Sequence, residues 1–260
     1  MAGRIVLGGD ASAATVEISN PGKRNALSVD MWMQLRAVFE ALATQETLRC
    51  VIVRGDGEHF AAGADIEEFP RVRSTREQVA EYHEQIVGGA LQAIHDCPVP
   101  VVAQISGACA GGGLEIASVC DLRIAGRSCR LGIPIRVLGF PLAPREMEWL
   151  VRLAGPAVAA ELLFEGRMWS AEEAVAKGVL TRVVDDGVLA TEAQRCAHSI
   201  ASGAPLAARA NKRQLRRLMA DSRPFSREER LASYAFADTE DYRIGIQAFL
   251  EKAHPEFQGR

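Results

Sequence analysis

The chain has 260 residues, of which 48% are hydrophobic and 24% charged, with a formal net charge of −3. That length can bury a sizeable core, and that charge supplies no basic field for nucleic acid or an anionic lipid surface. No apolar run reaches the length of a membrane span, and the opening MAGRIVLGGD has no long apolar core followed by a small-residue cleavage site. A cytoplasmic protein with no membrane and no nucleic-acid partner is therefore expected.

In chain order, TVEIS (15–19) alternates as a half-buried strand does. NPGKRNALS (20–28) is rich in turn formers and ends in Ser28, a helix cap, after which Met31, Leu35, Val38, Phe39 and Leu42 recur at helical spacing. LRCVIVRG (48–55) reads as a buried strand, 76–96 as a helix stopped by CPVP, and VVAQISG (101–107) as another strand. A glycine run follows, then a helix from about Leu114 and a strand at CDLRIAG (120–126). This rhythm indicates an α/β fold with crossovers.

From about residue 170 the pattern becomes almost continuous helix, beginning with SAEEAVAKG, where Ser170 caps, Glu173 lies three residues on and Gly178 closes. The basic clusters NKRQLRR (211–217) and REERL (227–231) read as a solvated helical face, or else as a subunit or phosphate contact. A core over 1–195 and a helical C-terminal region over 196–260 are expected. The six cysteines form no CxxC pair and have no histidine at ligand spacing, so buried free thiols and no metal site are expected. Nucleophile-elbow and phosphate-loop motifs are missing from the sequence.

The chemistry concentrates in ACAGGGLEIA (108–117), where Gly111 to Gly113 lead into an apolar helix carrying one acid, Glu115. Glycine allows close backbone approach, and the first N–H groups of a helix are unpaired and electropositive, an arrangement that holds an anion or a developing oxyanion. A tight strand-to-helix turn would look the same, and Glu115 would then only complement the helix dipole. HFAAGADIEEF (59–69) is a second small-residue turn after a strand, and two such turns can converge to offer two N–H donors to one oxygen. Taken alone, AAGAD is also a helix start capped by Asp65.

Together, FAAGADI and GACAGGGLEIASVCDLRIA resemble the crotonase superfamily, the enoyl-CoA hydratase and isomerase family. NPGKRNALS, PVPVVAQISG, MWSAEEAVAKGVLTRVV and TEDYRIGIQAFLEKAHPEF extend the likeness over nearly the whole chain. The resemblance implies a spiral of ββα units with a helical C-terminal trimerisation region, assembled as a homotrimer or as a hexamer of two trimers. It implies an acyl-CoA thioester substrate, with coenzyme A present only as part of that substrate and no further cofactor. The N–H groups of Ala64 and Gly112 match the family's oxyanion-hole positions, and Glu115 its first catalytic glutamate. Arg24, Ala26, Ala62, Asp65 and Ile66 match the CoA-binding surface, with Lys23 beside them. Gly111, Pro134, Ile135 and Leu138 are further substrate- or CoA-binding positions in this reading, and Lys252 matches a lysine that reaches a neighbouring subunit's CoA.

The chain departs from the family at one decisive place. Hydratases carry a second glutamate where this chain has Ile135, and their glycine-rich stretch downstream is PLAPREMEWL (141–150) here. Ile244 and Ala253 replace an acid and a base near the C-terminus. Isoleucine transfers no proton, and loss of one acid–base group typically forfeits about 10²–10⁴ in rate. Candidate substitutes are Glu146, Glu148, Tyr82, His83 and Glu84, with Arg136 or Arg145 as carboxylate clamps, and each of these also reads as a surface residue. The sequence thus points to a hydratase- or isomerase-like enzyme using Glu115. The alternatives are a decarboxylase or thioester hydrolase on a carboxylated acyl-CoA, or a catalytically silent acyl-CoA-binding hexamer.

Overall fold

A computed structural model describes residues 2–260. Strands β1 (Arg4–Gly9) and β2 (Ala13–Ser19) form an antiparallel hairpin at one edge of a six-stranded sheet. Helix α1 (Val29–Ala43) crosses to β3 (Cys50–Gly55), which pairs parallel to β2. The Ser28 side chain caps α1, accepting from the Met31 N–H at 3.2 Å. Beyond β3 the chain runs through α2 (Arg76–Glu81), a π-turn at Tyr82–Val87 and α3 (Gly88–Asp96) before β4 (Val101–Ile105). The expected helix over 76–96 is therefore present but wound wide in its middle.

Strand β5 (Ala108–Ala110) leaves the main sheet and leads into α4 (Gly112–Val119), which starts two residues before Leu114. Gly113 belongs inside that first turn because a β-carbon there would lie 2.4 Å from the Ala61 carbonyl oxygen. Strand β6 (Leu122–Gly126) returns to the main sheet, while β7 (Arg130–Gly132) pairs parallel to β5. Helix α5 (Pro144–Glu165) breaks its helical geometry at Gly155, and β8 (Trp169–Ser170) closes the small sheet in the order β5-β7-β8.

The C-terminal third departs from continuous helix at a short strand and in the stretches 221–226 and 253–260. After α6 (Ala171–Ala176), capped by Ser170 as expected, β9 (Arg182–Val184) adds a parallel strand beside β6. Three half-buried residues are too few to show a strand period. Helices α7 (Leu189–Ala201), α8 (Pro205–Ala220), α9 (Arg227–Ser233) and α10 (Glu240–Glu251) follow.

The main sheet is covered on both faces, which is why β3 reads as continuously apolar. Val51 and Val53 join the large core with Phe39, Leu91 and Leu114, whereas Cys50 and Ile52 face Leu189 and Cys196 of α7. All six cysteines are buried and free. The 211–217 cluster is only partly a solvated face: Asn211, Arg213 and Leu215 are exposed, but Lys212 and Arg216 turn inward. Lys212 is 5% exposed, donates to the Val99 carbonyl at 2.7 Å and pairs with Asp121, while Arg216 donates to the Cys97 carbonyl at 3.0 Å. These cations fasten α8 to the ends of β4 and β6. Their apolar stems reach inward over the core while their charges find carbonyls and a carboxylate. No helix among the described residues is long and apolar enough to cross a membrane.

Candidate active site

Three loops meet at the ends of β2, β3 and β4. The segment after β2 turns through Arg24 and Asn25, both at positive φ, and the Arg24 carbonyl accepts from the Ala62 N–H at 2.9 Å. Leu27 then runs beside Ala64, donating to the Gly63 carbonyl at 2.7 Å and accepting from the Asp65 N–H at 2.8 Å. The Ala110 N–H donates to the Ala61 carbonyl at 2.9 Å, tying the AAGAD turn to β5.

Glycine is required where these turns touch. Gly63 has φ +105° and Gly111 φ +47°, conformations that L side chains avoid. A β-carbon on Gly63 would lie 3.5 Å from the Gly112 nitrogen, and one on Gly112 would lie 3.7 Å from the Ala64 nitrogen and 2.8 Å from Trp32 Cζ2. The Ala64 and Gly112 amides are thus neighbours. Among the described residues neither N–H is engaged by an acceptor, since Leu27 and Asp65 use the flanking groups and Gly112 opens α4.

These two amides form one wall of a cavity of about 120 Å³, and Glu115 projects into it from the first turn of α4. Burial pushes the Glu115 carboxyl up to about 8. The charge of Glu146 adds to the shift, and the Arg73 guanidinium opposes it. Burial and the neighbouring charge both favour the protonated form of this carboxyl.

The opposite wall is helical. The π-turn, in which the Gly88 N–H reaches back to the His83 carbonyl, presents Tyr82 and His83 to the cavity. Behind His83 lies Glu146, in the first turn of α5 and 1% exposed. His83 Nδ1 is 2.9 Å from Glu146 Oε1, and Glu146 Oε2 has no hydrogen-bond partner. Arg73 also lines the cavity, its guanidinium carbon 4.2 Å and 4.5 Å above the Phe69 and Phe140 rings. Burial lowers the Arg73 pKa, while the nearby Tyr82, Glu146 and Glu115 raise it.

The structure brings together Ala62, Ala64, Ile66, Gly111, Gly112, Glu115, Pro134, Ile135 and Leu138 as lining groups. Asp65 sits just outside, buried, accepting from the Glu67 N–H at 3.3 Å and from Lys23 at 2.7 Å. It caps the short turn that follows, as its sequence position indicates. Lys23 also pairs with Glu67 at 2.7 Å. Arg24 and Ala26 lie on the backbone segment abutting Ala62, and Lys252 ends α10 in the left-handed conformation, away from the cavity.

Arg136 is not in the cavity. The turn at Ile135–Leu138 points Ile135 inward and sends Arg136 to the Glu165 carbonyl at 2.7 Å. Arg145 donates to the Glu84 carbonyl at 2.7 Å, and exposed Glu148 lies 3.5 Å from Arg152. Glu146 is no surface residue but a fully buried one. Sequence reasoning missed Arg73, Phe69 and Trp32; the signal available was a basic residue, in FPRVRS, soon after the AAGAD turn.

A mixed α/β fold with two convergent backbone turns, an internal acid and a helical C-terminal region defines a crotonase-type protein. Residues 8–260 match the family model described as enoyl-CoA hydratase/isomerase, and the chain belongs to that family. Its relatives include the 2,3-dehydroadipyl-CoA hydratase of Escherichia coli, 31% identical with 94% of each chain covered. The short-chain-enoyl-CoA hydratase of Clostridium acetobutylicum is also 31% identical, with 95% of each covered. Among solved structures, an enoyl-CoA hydratase/carnithine racemase from Magnetospirillum magneticum superposes with a TM-score of 0.95. It is 41% identical, and 98% of this chain and 96% of that one are covered.

Proposed function

We propose that the protein processes an acyl-CoA thioester through an enolate, in the hydratase or isomerase manner, with Glu115 moving the proton at the α-carbon. The observation that carries this reading is a carboxyl pushed up to about 8 inside a cavity walled by two adjacent, unengaged amides. The Ala64 and Gly112 N–H groups form the oxyanion hole. They stabilise charge as it accumulates on the thioester oxygen, a donor of this kind contributing about 3–4 kcal/mol to the transition state. A thioester already acidifies its α-proton, so one positioned acid–base group suffices for that transfer.

The segments at Arg24–Ala26 and Ala62–Ile66, with Lys23, form the CoA-facing edge in this reading, and no cofactor beyond the substrate's own CoA is required. The α8–α10 region exposes Leu215, Leu231, Phe249 and Leu250, the last two at 84% and 70%. Large apolar side chains left in water support a homotrimer or hexamer in which Lys252 turns toward a neighbour's CoA. Reaction on a cytoplasmic acyl-CoA pool is part of the same proposal.

The test is loss of enoyl-thioester absorbance from crotonyl-CoA, with Glu115→Gln as the comparison. The reading requires turnover by the parent protein and a loss of about 10²–10⁴-fold in the variant. Binding of crotonyl-CoA without turnover would favour a silent binder instead. A second reading rests on Arg73, whose guanidinium faces the cavity and matches a substrate carboxylate. It favours a carboxylated acyl group, with hydration, decarboxylation or thioester hydrolysis as the reaction, and gains support if such a thioester outperforms crotonyl-CoA.

A further inference from the structure

The acid absent at Ile135 leaves water without an activating group, and the wall opposite the amides holds a candidate. His83 lines the same cavity as Glu115, is 16% exposed at its side chain, and is gripped at Nδ1 by a carboxylate with no access to solvent. An ionised Glu146 accepts only, so in contact with it a neutral imidazole carries its proton on Nδ1 and presents the Nε2 lone pair. Burying Glu146 with Oε2 unpartnered is unfavourable. A charge held there stabilises an imidazolium in contact with it. The π-turn that carries His83 is itself a rare helical form, frequent at functional sites.

Building on the enolate reading above, we infer that His83, positioned by Glu146, is the second proton-transfer group of the site and activates water for addition to the enoyl double bond. In the hydration direction Nε2 takes a proton from water and the water oxygen bonds to the β-carbon. The double-bond pair shifts to join the α-carbon and carbonyl carbon, and the carbonyl pair moves onto the thioester oxygen. The Ala64 and Gly112 amides hold that oxyanion. The enolate then collapses as the α-carbon takes the Glu115 proton. The product gains one H and one OH, and the imidazolium and the Glu115 carboxylate reset by proton exchange with solvent.

His83 is a catalytic residue in this scheme and Glu146 a positioning residue. The charged and titratable groups around the imidazole are Glu146 from α5, Tyr82 beside it, and Glu115 and Arg73 around the cavity, with Arg145 behind the π-turn.

The test uses the full-length protein and two assays, hydration of crotonyl-CoA and exchange of the α-protons of butyryl-CoA in deuterated water. His83→Gln is expected to lose about 10²–10⁴-fold in hydration while keeping α-exchange within a few-fold, because exchange needs Glu115 and the oxyanion hole but not an activated water. Imidazole added to His83→Ala is expected to restore part of the hydration rate. Glu146→Gln still accepts from Nδ1 but carries no charge; it is expected to slow hydration more than α-exchange, and the pH profile of α-exchange is expected to move down with Glu115 as the neighbouring charge is lost. Hydration by His83→Gln at the parent rate would overturn the inference, as would equal loss of both activities. Absence of α-exchange in the parent protein would instead overturn the enolate reading beneath it.

Discussion

The two walls of the cavity are built by opposite strategies. One is backbone: amides at Ala64 and Gly112 brought together because Gly63 and Gly111 turn at positive φ and Gly112 lacks a β-carbon that would press on Trp32. The other is side chain: His83, Glu146 and Arg73, delivered by a π-turn, a helix start and a short helical turn from distant parts of the chain. A backbone wall presents donors that need no rotamer and no protonation state. A side-chain wall can change its chemistry by substitution without disturbing the amide pair. That division explains how Ile135 can replace an acid while the fold and the amide pair persist.

Four substitutions break or sharpen this contrast. Gly112→Ala strikes the backbone wall, since the new methyl meets the rigid Trp32 ring at 2.8 Å. Loss of one donor is worth about 3–4 kcal/mol, or about 10²–10³ in kcat, read by steady-state kinetics. A near-parental rate would show that the amide pair is not under that constraint.

Glu115→Gln is expected to stabilise the fold. A carboxyl at about 8 when folded and near 4.5 when unfolded keeps its proton longer in the native state. Stability therefore falls as pH rises between those values, by about 1.4 kcal/mol per unit. The penalty reaches at most about 3 kcal/mol at pH 7 and disappears in the glutamine variant. Urea unfolding at pH 5 and 7.5 checks it: the parent should weaken more over that interval than the variant.

Arg73→Gln removes the cation that holds Glu115 down, so its titration should move upward, visible in carboxyl-carbon NMR or in the pH profile of α-exchange. A downward move would place Arg73's influence elsewhere. Arg136→Ala should change the rate by less than about twofold and stability by less than about 0.5 kcal/mol, because Arg136 is bonded to the Glu165 carbonyl outside the cavity. A large rate loss there would reinstate it as a substrate clamp.

The contrast also separates what the sequence reveals from what it hides. The two converging turns and Glu115 are legible because each turn is a short contiguous motif between a strand and a helix, with local glycine chemistry, while the choice of Ala64 and Gly112 within them rests on the family resemblance. The β-then-helix order of the core, the Ser28 and Ser170 caps and the buried cysteines are legible for the same reason. His83 and Glu146 are separated by 63 residues, and their pairing exists only once α5 packs behind the π-turn. In isolation each looks like one more polar residue on a helix. Arg136 attracts notice as the neighbour of Ile135, yet the turn there puts the two side chains on opposite sides, whereas Arg73 reaches the cavity from a segment without a telling pattern. Lys212 shows the same limit: a basic cluster reads as solvated until the carbonyls it meets are known.

The claim on which both walls depend is that Glu115 exchanges a proton with the α-carbon of a thioester held by the Ala64 and Gly112 amides. Proton NMR of butyryl-CoA in deuterated water tests it without requiring any acid at the Ile135 position. The parent protein should wash deuterium into the α-position, and Glu115→Gln should slow that exchange by at least about 10²-fold. A parent protein that binds butyryl-CoA and leaves its α-protons untouched, or a glutamine variant that exchanges them equally fast, would contradict the account.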